Sequence, residues 1–171
     1  TLNCWGLYGV SKLRRQRMKA SGKYLAESDF AIVLLEEVWT HEDFELLQKL
    51  CSNVYPFSHF FDHGIIGSGT CIFTKYQLKN ANFHEFAMNG YPMDWNGDWF
   101  AGKGLGVCQI EINGFEVTVF VSHYVGEYDP TNDIYLGHRV IQALQSAHWL
   151  NMTIAGTDLT LYCGDFNTEP N

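Results

Sequence analysis

An acid and an amide stand two positions apart, Asp165 and Asn167, directly after the apolar run 159–163. The run predicts a buried strand, which places both side chains on the loop at its carboxyl end, where open α/β sheets hold their ligands. Such a pair can hold a phosphate and its attacking water. Because strand-to-loop turns are rich in Gly, Asp and Asn for backbone reasons, an ordinary turn remains the alternative for this motif alone.

Three other polar motifs stand at the ends of apolar, strand-like runs. Asn3 lies at the start of the chain, Glu36 and Glu37 follow one run, and His123 follows another. Carboxylate and amide oxygens are ligands that Mg²⁺ prefers, and adjacent strand residues alternate faces, so only one of the two acids can face a shared site. Taken singly, these residues could equally be a turn asparagine, a solvated acid and a structural histidine.

The elements that must position these residues are mixed helices and strands. The basic segment 13–27 predicts a solvated helix with a buried stripe of Leu13, Met18 and Leu25. Thr40 is predicted to cap a second helix that ends near Cys51. A third helix is predicted from Asn132 to Leu150, with Ile134, Ile141, Leu144 and Trp149 on its apolar face.

Strands are predicted at 31–35, in short pieces between 55 and 86, and from 107 to 124. Asn113 and Gly114 separate two β-rich runs and predict a type I′ hairpin. The sheets therefore contain an antiparallel component.

The four polar motifs, in this order, resemble the Mg-dependent endonuclease/exonuclease/phosphatase superfamily, which has the deoxyribonuclease I fold. Further segments resemble its neutral sphingomyelinase branch over essentially all 171 residues, and the most specific is Gly-Asp-Trp-Phe-Ala-Gly-Lys at 97–103. The others lie at 11–12, 67–70, 89–92, 127–128 and 135–139. Val125 departs from the second histidine expected in vertebrate enzymes, which leaves fine substrate preference open.

The resemblance implies an α/β (α+β) fold, a four-layer sandwich with mixed sheets, of which this chain is the N-terminal portion. We expect residues 1–171 to be one catalytic-domain fragment, truncated at both ends, that lacks a C-terminal Ser-Asp-His motif and is inactive alone. The implied reaction is Mg²⁺-dependent hydrolysis of sphingomyelin to ceramide and phosphocholine. Another phosphodiesterase of this fold, such as a nuclease or a lysophospholipid phospholipase C, and a non-catalytic fragment remain as alternatives.

The resemblance also implies a role for each polar residue. Glu37 would bind Mg²⁺, and Asn3 would add an amide oxygen to the metal or the phosphate. His123 would donate a hydrogen bond to a phosphate oxygen as negative charge builds. Asp165 would orient or help deprotonate the attacking water, and Asn167 would hold a phosphate oxygen.

The segment 97–104 also matches the start of a nucleotide-binding P-loop, but Gly104 stands where such a loop needs Ser or Thr. A strand rather than a helix is predicted to follow, which argues against an NTPase. Lys103 would instead lie near the substrate phosphate, or it is a solvent-facing lysine of a Gly-rich loop.

Charge and aromatic content bear on the partners. The chain has 11 Lys and Arg against 19 Asp and Glu, a net charge of −8, so no nucleic-acid partner is expected. An aromatic loop at 91–100, with Tyr91, Met93, Trp95, Trp99 and Phe100, suits contact with a membrane that holds the sphingolipid substrate. Core packing is the alternative for these rings.

Cysteine use and hydropathy bear on location. Five scattered cysteines form no Cys-x-x-Cys pair and are predicted to be reduced core residues, which favours an intracellular compartment. No apolar run approaches the roughly 20 residues of a membrane span. We therefore expect membrane association on the cytosolic face to depend on the full-length protein.

Overall fold

The computed structural model describes residues 1–93, 98–129 and 131–169. Within them, three helices lie at Arg14–Ala26 (α1), His41–Cys51 (α2) and Leu136–Thr153 (α3). Eight strands lie at Leu2–Asn3 (β1), Ile32–Glu36 (β2), Phe57–Phe60 (β3), Cys71–Thr74 (β4), Leu78–Glu85 (β5), Gly104–Ile112 (β6), Phe115–His123 (β7) and Leu159–Asp165 (β8).

The first sheet has the strand order β1-β2-β4-β3, with β1 parallel to β2 and the other pairs antiparallel. Alternate residues of β2 face opposite ways. Val33 and Leu35 pack into a core with α1 and α2, whereas Leu34 packs toward the second sheet. The Thr40 hydroxyl accepts a hydrogen bond from the backbone N–H of Asp43, so the predicted cap of α2 is confirmed.

The second sheet has the order β5-β6-β7-β8, antiparallel except for the parallel β7–β8 pair. The β6–β7 hairpin turns at Asn113 and Gly114, whose φ angles of 53° and 86° are those of the predicted type I′ turn. Alternation in β7 points Val119 toward the first sheet and Phe120 toward Trp149 of α3.

Three cores separate four layers. One lies between the α1–α2 pair and the first sheet, one between the two sheets, and one between the second sheet and α3. This is the expected α/β sandwich with two mixed sheets.

Two predicted apolar faces are correct only in part, since Met18 and Leu25 of α1 are buried and Trp149 of α3 packs against a core, but other members are exposed. Leu13 is 66% exposed, because it precedes α1 in a left-handed turn with φ 55°. The third helix begins at Leu136, and Ile134 and Leu144 are exposed. Its buried residues are instead polar: His138, Arg139, Gln142 and Ser146.

The last strand is half-buried rather than buried. In the described residues β8 pairs only with β7, so it is a sheet edge, and Leu159 is 50% exposed. All five cysteines are free thiols, as predicted. Among the described residues, no helix has the length and apolar character needed to cross a bilayer.

Candidate active site

Parallel pairing of β1 and β2 brings Asn3 beside the end of β2. Asn3 is in register with Glu36, and the chain turns at Glu37 with a left-handed φ of 57°. The Asn3 side-chain amide donates to Glu37 Oε1 at 2.9 Å. Gly6 permits this turn, since a Cβ there would lie 2.2 Å from the Glu37 carbonyl oxygen. Glu37 therefore projects from the strand end, as predicted.

The neighbouring acid has a different environment. Glu36 is 1% exposed and accepts a hydrogen bond from the Thr1 hydroxyl. Burial raises the pKa of Glu36 to about 7. Glu37 borders an open cleft, whereas Glu36 does not, as expected from the alternation of strand faces.

Parallel pairing of β7 and β8 brings His123 and Asp165 into register at the ends of their strands. Asp165 Oδ2 accepts a second hydrogen bond from the Asn3 amide, also at 2.9 Å. One amide group thus joins an acid of the first sheet to an acid of the second. Asn3, Glu37, His123 and Asp165 meet where the ends of four strands converge.

Asn167 is fixed against this group by its own turn. Its φ of 47° is left-handed, and its backbone N–H donates to Asp165 Oδ1 at 3.0 Å. The Asn167 side-chain amide donates to the carbonyl oxygen of Tyr124 at 2.9 Å. This bond takes up one of the two hydrogens of the Asn167 amide. Asn167 also lines the cleft.

His123 is buried at the floor of the cleft, with 5% exposure. Burial, and then the positive charge of Lys103, hold its pKa well below the usual value. The ring is therefore neutral at pH 7, with one N–H to donate. Within the described residues, His123 Nδ1 is buried without a hydrogen-bond partner.

Lys103 lies in the cleft wall rather than in solvent. Its side chain is 2% exposed, and Nζ lies 2.7 Å from Asp98 Oδ1 and donates to the Tyr124 carbonyl at 2.8 Å. The solvent-facing alternative is therefore wrong, because the ammonium is buried in an ion pair. The segment continues into β6 without a helix, which excludes a P-loop.

The cleft has a volume of about 380 Å³. Its lining includes residues to which the sequence analysis gave no role. Asp98 pairs with Lys103 and accepts the Tyr128 hydroxyl at 2.7 Å. In the sequence, Asp98 stands five residues before Lys103 in the same Gly-rich segment, and this spacing could have indicated that the two side chains form an ion pair. Aromatic side chains also line the cleft: Trp5, Trp39 and Tyr128.

The donors around Asn3 suit a hard cation. Glu37 and Asp165 are held by one amide, and within the described residues neither has a Lys or Arg partner within 4.0 Å. Two such carboxylates attract a divalent cation, and their oxygens suit Mg²⁺, whereas the Asn3 side-chain oxygen accepts the backbone N–H of Trp5 at 2.8 Å. The described residues contain no group of three or more His, Cys, Asp or Glu arranged to hold a metal.

The predicted aromatic loop is exposed where it is described. Tyr91, Met93 and Trp99 have exposures of 47%, 71% and 40%, whereas Phe100 is half-buried. Trp95 lies outside the described residues. The alternative of core packing is wrong for the three exposed side chains.

A family model described as "Endonuclease/Exonuclease/phosphatase family" matches residues 1–171. This chain belongs to that family. Over 170 residues it is 42% identical to human sphingomyelin phosphodiesterase 2 and 41% identical to the mouse protein. The inositol phosphosphingolipids phospholipase C of Schizosaccharomyces pombe is 36% identical over 172 residues. Each alignment covers 99% of this chain, which spans 40% of the length of the human relative and 41% of the other two.

Solved structures share the family fold. Sphingomyelinase C from Streptomyces griseocarneus superposes with a TM-score of 0.76 at 14% identity, over 98% of this chain and 63% of that one. A Staphylococcus aureus beta toxin mutant with bound magnesium ions gives 0.72 at 19% identity, over 90% of this chain and 59% of that one. At these identities the similarity establishes the fold.

Proposed function

We propose that the protein carrying this chain hydrolyses sphingomyelin to ceramide and phosphocholine with Mg²⁺. The chemistry rests on one observation: the Asn3 amide joins Glu37 to Asp165, which is in register with His123, and Glu37 and the neutral His123 line one cleft. The substrate is supported by whole-chain similarity to sphingomyelin phosphodiesterases of human and mouse. The use of magnesium is supported by the oxygen donor set and by a neighbour structure with magnesium bound.

Glu37 and Asn3 would hold the metal. When bound, Mg²⁺ would neutralise the phosphate and stabilise the leaving oxygen. Asp165 Oδ1 and Oδ2 are fixed by the Asn167 backbone N–H and the Asn3 amide, so this carboxylate is oriented to position an attacking water. The oxygen of that water loses a proton and bonds to phosphorus as the bond from phosphorus to the ceramide oxygen breaks, and the ceramide oxygen takes up a proton and leaves as a hydroxyl.

His123 and Asn167 would bind the phosphate oxygens. A neutral imidazole in a buried site can donate one hydrogen bond to an oxygen that gains charge, and no solvent reorganisation is needed. The Asn167 amide is held in place by the hydrogen bond that it donates to the Tyr124 carbonyl. Lys103 would act electrostatically from the cleft wall while paired with Asp98.

The partner is a sphingolipid in a membrane, and nucleic acid is not expected. An excess of acidic residues disfavours the phosphate contacts on which DNA affinity depends. We propose that Trp99, 40% exposed, contacts the bilayer, and that the full-length protein works at the cytosolic face of a membrane. Trp99→Ala should weaken vesicle binding more than turnover of a soluble choline phosphodiester. Equal vesicle binding by the wild-type protein and by Trp99→Ala would contradict the proposed contact.

A panel of three substrates tests the function. The full-length protein with Mg²⁺ at neutral pH should release phosphocholine from sphingomyelin in mixed micelles and leave plasmid DNA intact. Cleavage of an inositol phosphosphingolipid in preference to sphingomyelin would favour the activity named for the S. pombe relative. Plasmid nicking without sphingomyelin hydrolysis would reject the proposal in favour of a nuclease.

A further inference from the structure

The segment between β1 and α1, residues 5–13, exposes large apolar side chains beside the cleft. Trp5, Tyr8, Val10 and Leu13 have exposures of 46%, 74%, 63% and 66%. Trp5 and Val10 also line the cleft, together with Leu7. This β1–α1 segment is therefore an apolar rim of the cleft that contains His123.

Arginines of α1 hold this rim in shape. Arg17 donates to the backbone carbonyls of Cys4 at 2.9 Å, Trp5 at 2.5 Å and Lys12 at 3.0 Å. Its guanidinium also lies over the Trp5 ring, 4.7 Å from the centroid. Because three carbonyls share one guanidinium, the conformation is preorganised, and little ordering entropy would be lost on binding a surface.

The second aromatic ring of the rim is supported in the same way. Arg14 lies over Tyr8 at 5.0 Å and forms an ion pair with the buried Asp43 at 2.5 Å. The solvent-facing side of the Tyr8 ring therefore stays exposed while its other side is covered.

We propose that the β1–α1 segment is a bilayer-contact surface that inserts into the interfacial region of zwitterionic lipids. The inference rests on the proposed function, because a lipid headgroup that reaches His123 brings the bilayer against the cleft rim. Trp and Tyr favour the membrane–water interface. This surface is separate from the aromatic loop around Trp99.

Charge selects the kind of bilayer. The protein has a net charge of −8, which repels an anionic membrane surface. Of the basic residues next to the rim, Arg14 and Arg15 are paired with Asp43 and Glu42, whereas Lys12 and Arg17 form no ion pair within the described residues. Their two positive charges are smaller than the excess of acids in the chain. Insertion of apolar side chains therefore supplies the affinity, and it should change little with salt.

A position-specific probe tests the contact in the full-length protein. An environment-sensitive fluorophore is attached through Tyr8→Cys, or through Phe115→Cys as the matched control, in a Cys163→Ser background. Phe115 is 61% exposed and begins β7, at the opposite end of that strand from His123. Phosphatidylcholine vesicles that carry a nitroxide-labelled lipid are then added in three forms: alone, with sphingomyelin, and with an anionic lipid.

Several-fold quenching at position 8 without quenching at position 115, at low and high salt alike, supports the proposal. Equal quenching at the two positions overturns it, as does quenching at position 8 that requires anionic lipid. A fluorophore at position 8 that is already blue-shifted before vesicles are added would mean that another protein segment covers the rim. This result also overturns the proposal.

Phosphocholine release in the sphingomyelin arm separates this proposal from the function. Quenching at position 8 without any phosphocholine release would reject the proposed function and retain the contact. Release by a protein whose position 8 is not quenched would reject the contact and retain the function.

Discussion

At the scale of single residues, Asn3 holds two acids of the candidate site, Glu37 and Asp165, close together. Its amide nitrogen donates to Glu37 and to Asp165, each at 2.9 Å, so two carboxylates lie close together without a basic side chain between them. An aspartate at this position would add a third negative charge and remove both donors. An amide therefore suits the site better than an acid.

His123 should make the stability of the protein depend on pH. Its folded-state pKa is depressed by burial and by Lys103, so the stabilising neutral form is fully present above the unfolded pKa of about 6.5 and is lost as pH falls. Wild type should lose about 1 kcal/mol of unfolding free energy through this group between pH 6.5 and 5.5. The measurement is denaturant unfolding at each pH.

His123→Gln should remove that loss, whereas His41→Gln, which changes a histidine with a 65% exposed side chain, should retain it. Parallel pH profiles for wild type and His123→Gln would contradict this assignment.

Strand alternation in the sequence allowed only one of Glu36 and Glu37 to face the cleft, and the family resemblance then selected Glu37. It did not predict that Lys103 is buried. The partners of Lys103, Asp98 Oδ1 and the Tyr124 carbonyl, come from a loop and from the end of β7, and their meeting depends on tertiary packing.

At the scale of elements, the polar face of α3 connects the active-site loops. Gln142 is fully buried, accepts the backbone N–H of Val125 at 3.0 Å and donates to the carbonyl of Met88 at 2.8 Å. Ser146 accepts the Tyr124 hydroxyl at 2.9 Å. The helix therefore fixes the chain just beyond His123 and the start of the aromatic loop together.

Gln142→Leu should destabilise the protein by about 1–3 kcal/mol, because the buried N–H of Val125 and the partly buried carbonyl of Met88 lose their partner. Leu144→Ala, on the exposed face of the same helix, should change stability by less than about 0.5 kcal/mol. Chemical denaturation of the two variants measures the difference. Equal unfolding free energies for Gln142→Leu and Leu144→Ala would mean that water replaces the hydrogen bonds of the Gln142 amide without a loss of stability.

Local signals predicted the elements, but not the environment of each face. The Asn113–Gly114 hairpin and the Thr40 cap follow from backbone preferences of a few residues and are confirmed. The buried face of α3 was missed because Gln142 and Ser146 read as polar surface positions. Their burial depends on a loop that is distant in sequence.

At the scale of the whole molecule, the candidate active site is shared between the two sheets. β1 and β2 deliver Asn3 and Glu37, whereas β7 and β8 deliver His123 and Asp165. Each pair is parallel, so the ends of its two strands lie at the same edge of a sheet. A disturbance of sheet packing should therefore reduce activity even if no site residue is changed.

The family resemblance places a catalytic histidine in a Ser-Asp-His motif that these 171 residues do not contain. We therefore predict that residues 1–171, purified alone, bind Mg²⁺ weakly and do not release phosphocholine from sphingomyelin, whereas the full-length protein does. Parallel assays at matched concentration measure this. Turnover by the 171-residue protein would mean that His123 and Asp165 are sufficient for base catalysis.

The most direct test of the whole account is phosphocholine release from sphingomyelin micelles by the full-length protein, by Glu37→Gln and by the control Glu42→Gln. Glu42 is an exposed acid of α2, remote from Asn3. Wild type and the control should be active with Mg²⁺ and inactive after chelation. Glu37→Gln should lose on the order of 10² to 10³ in rate with an unchanged circular dichroism spectrum. Wild-type turnover by Glu37→Gln, or full activity without a divalent ion, would contradict the account.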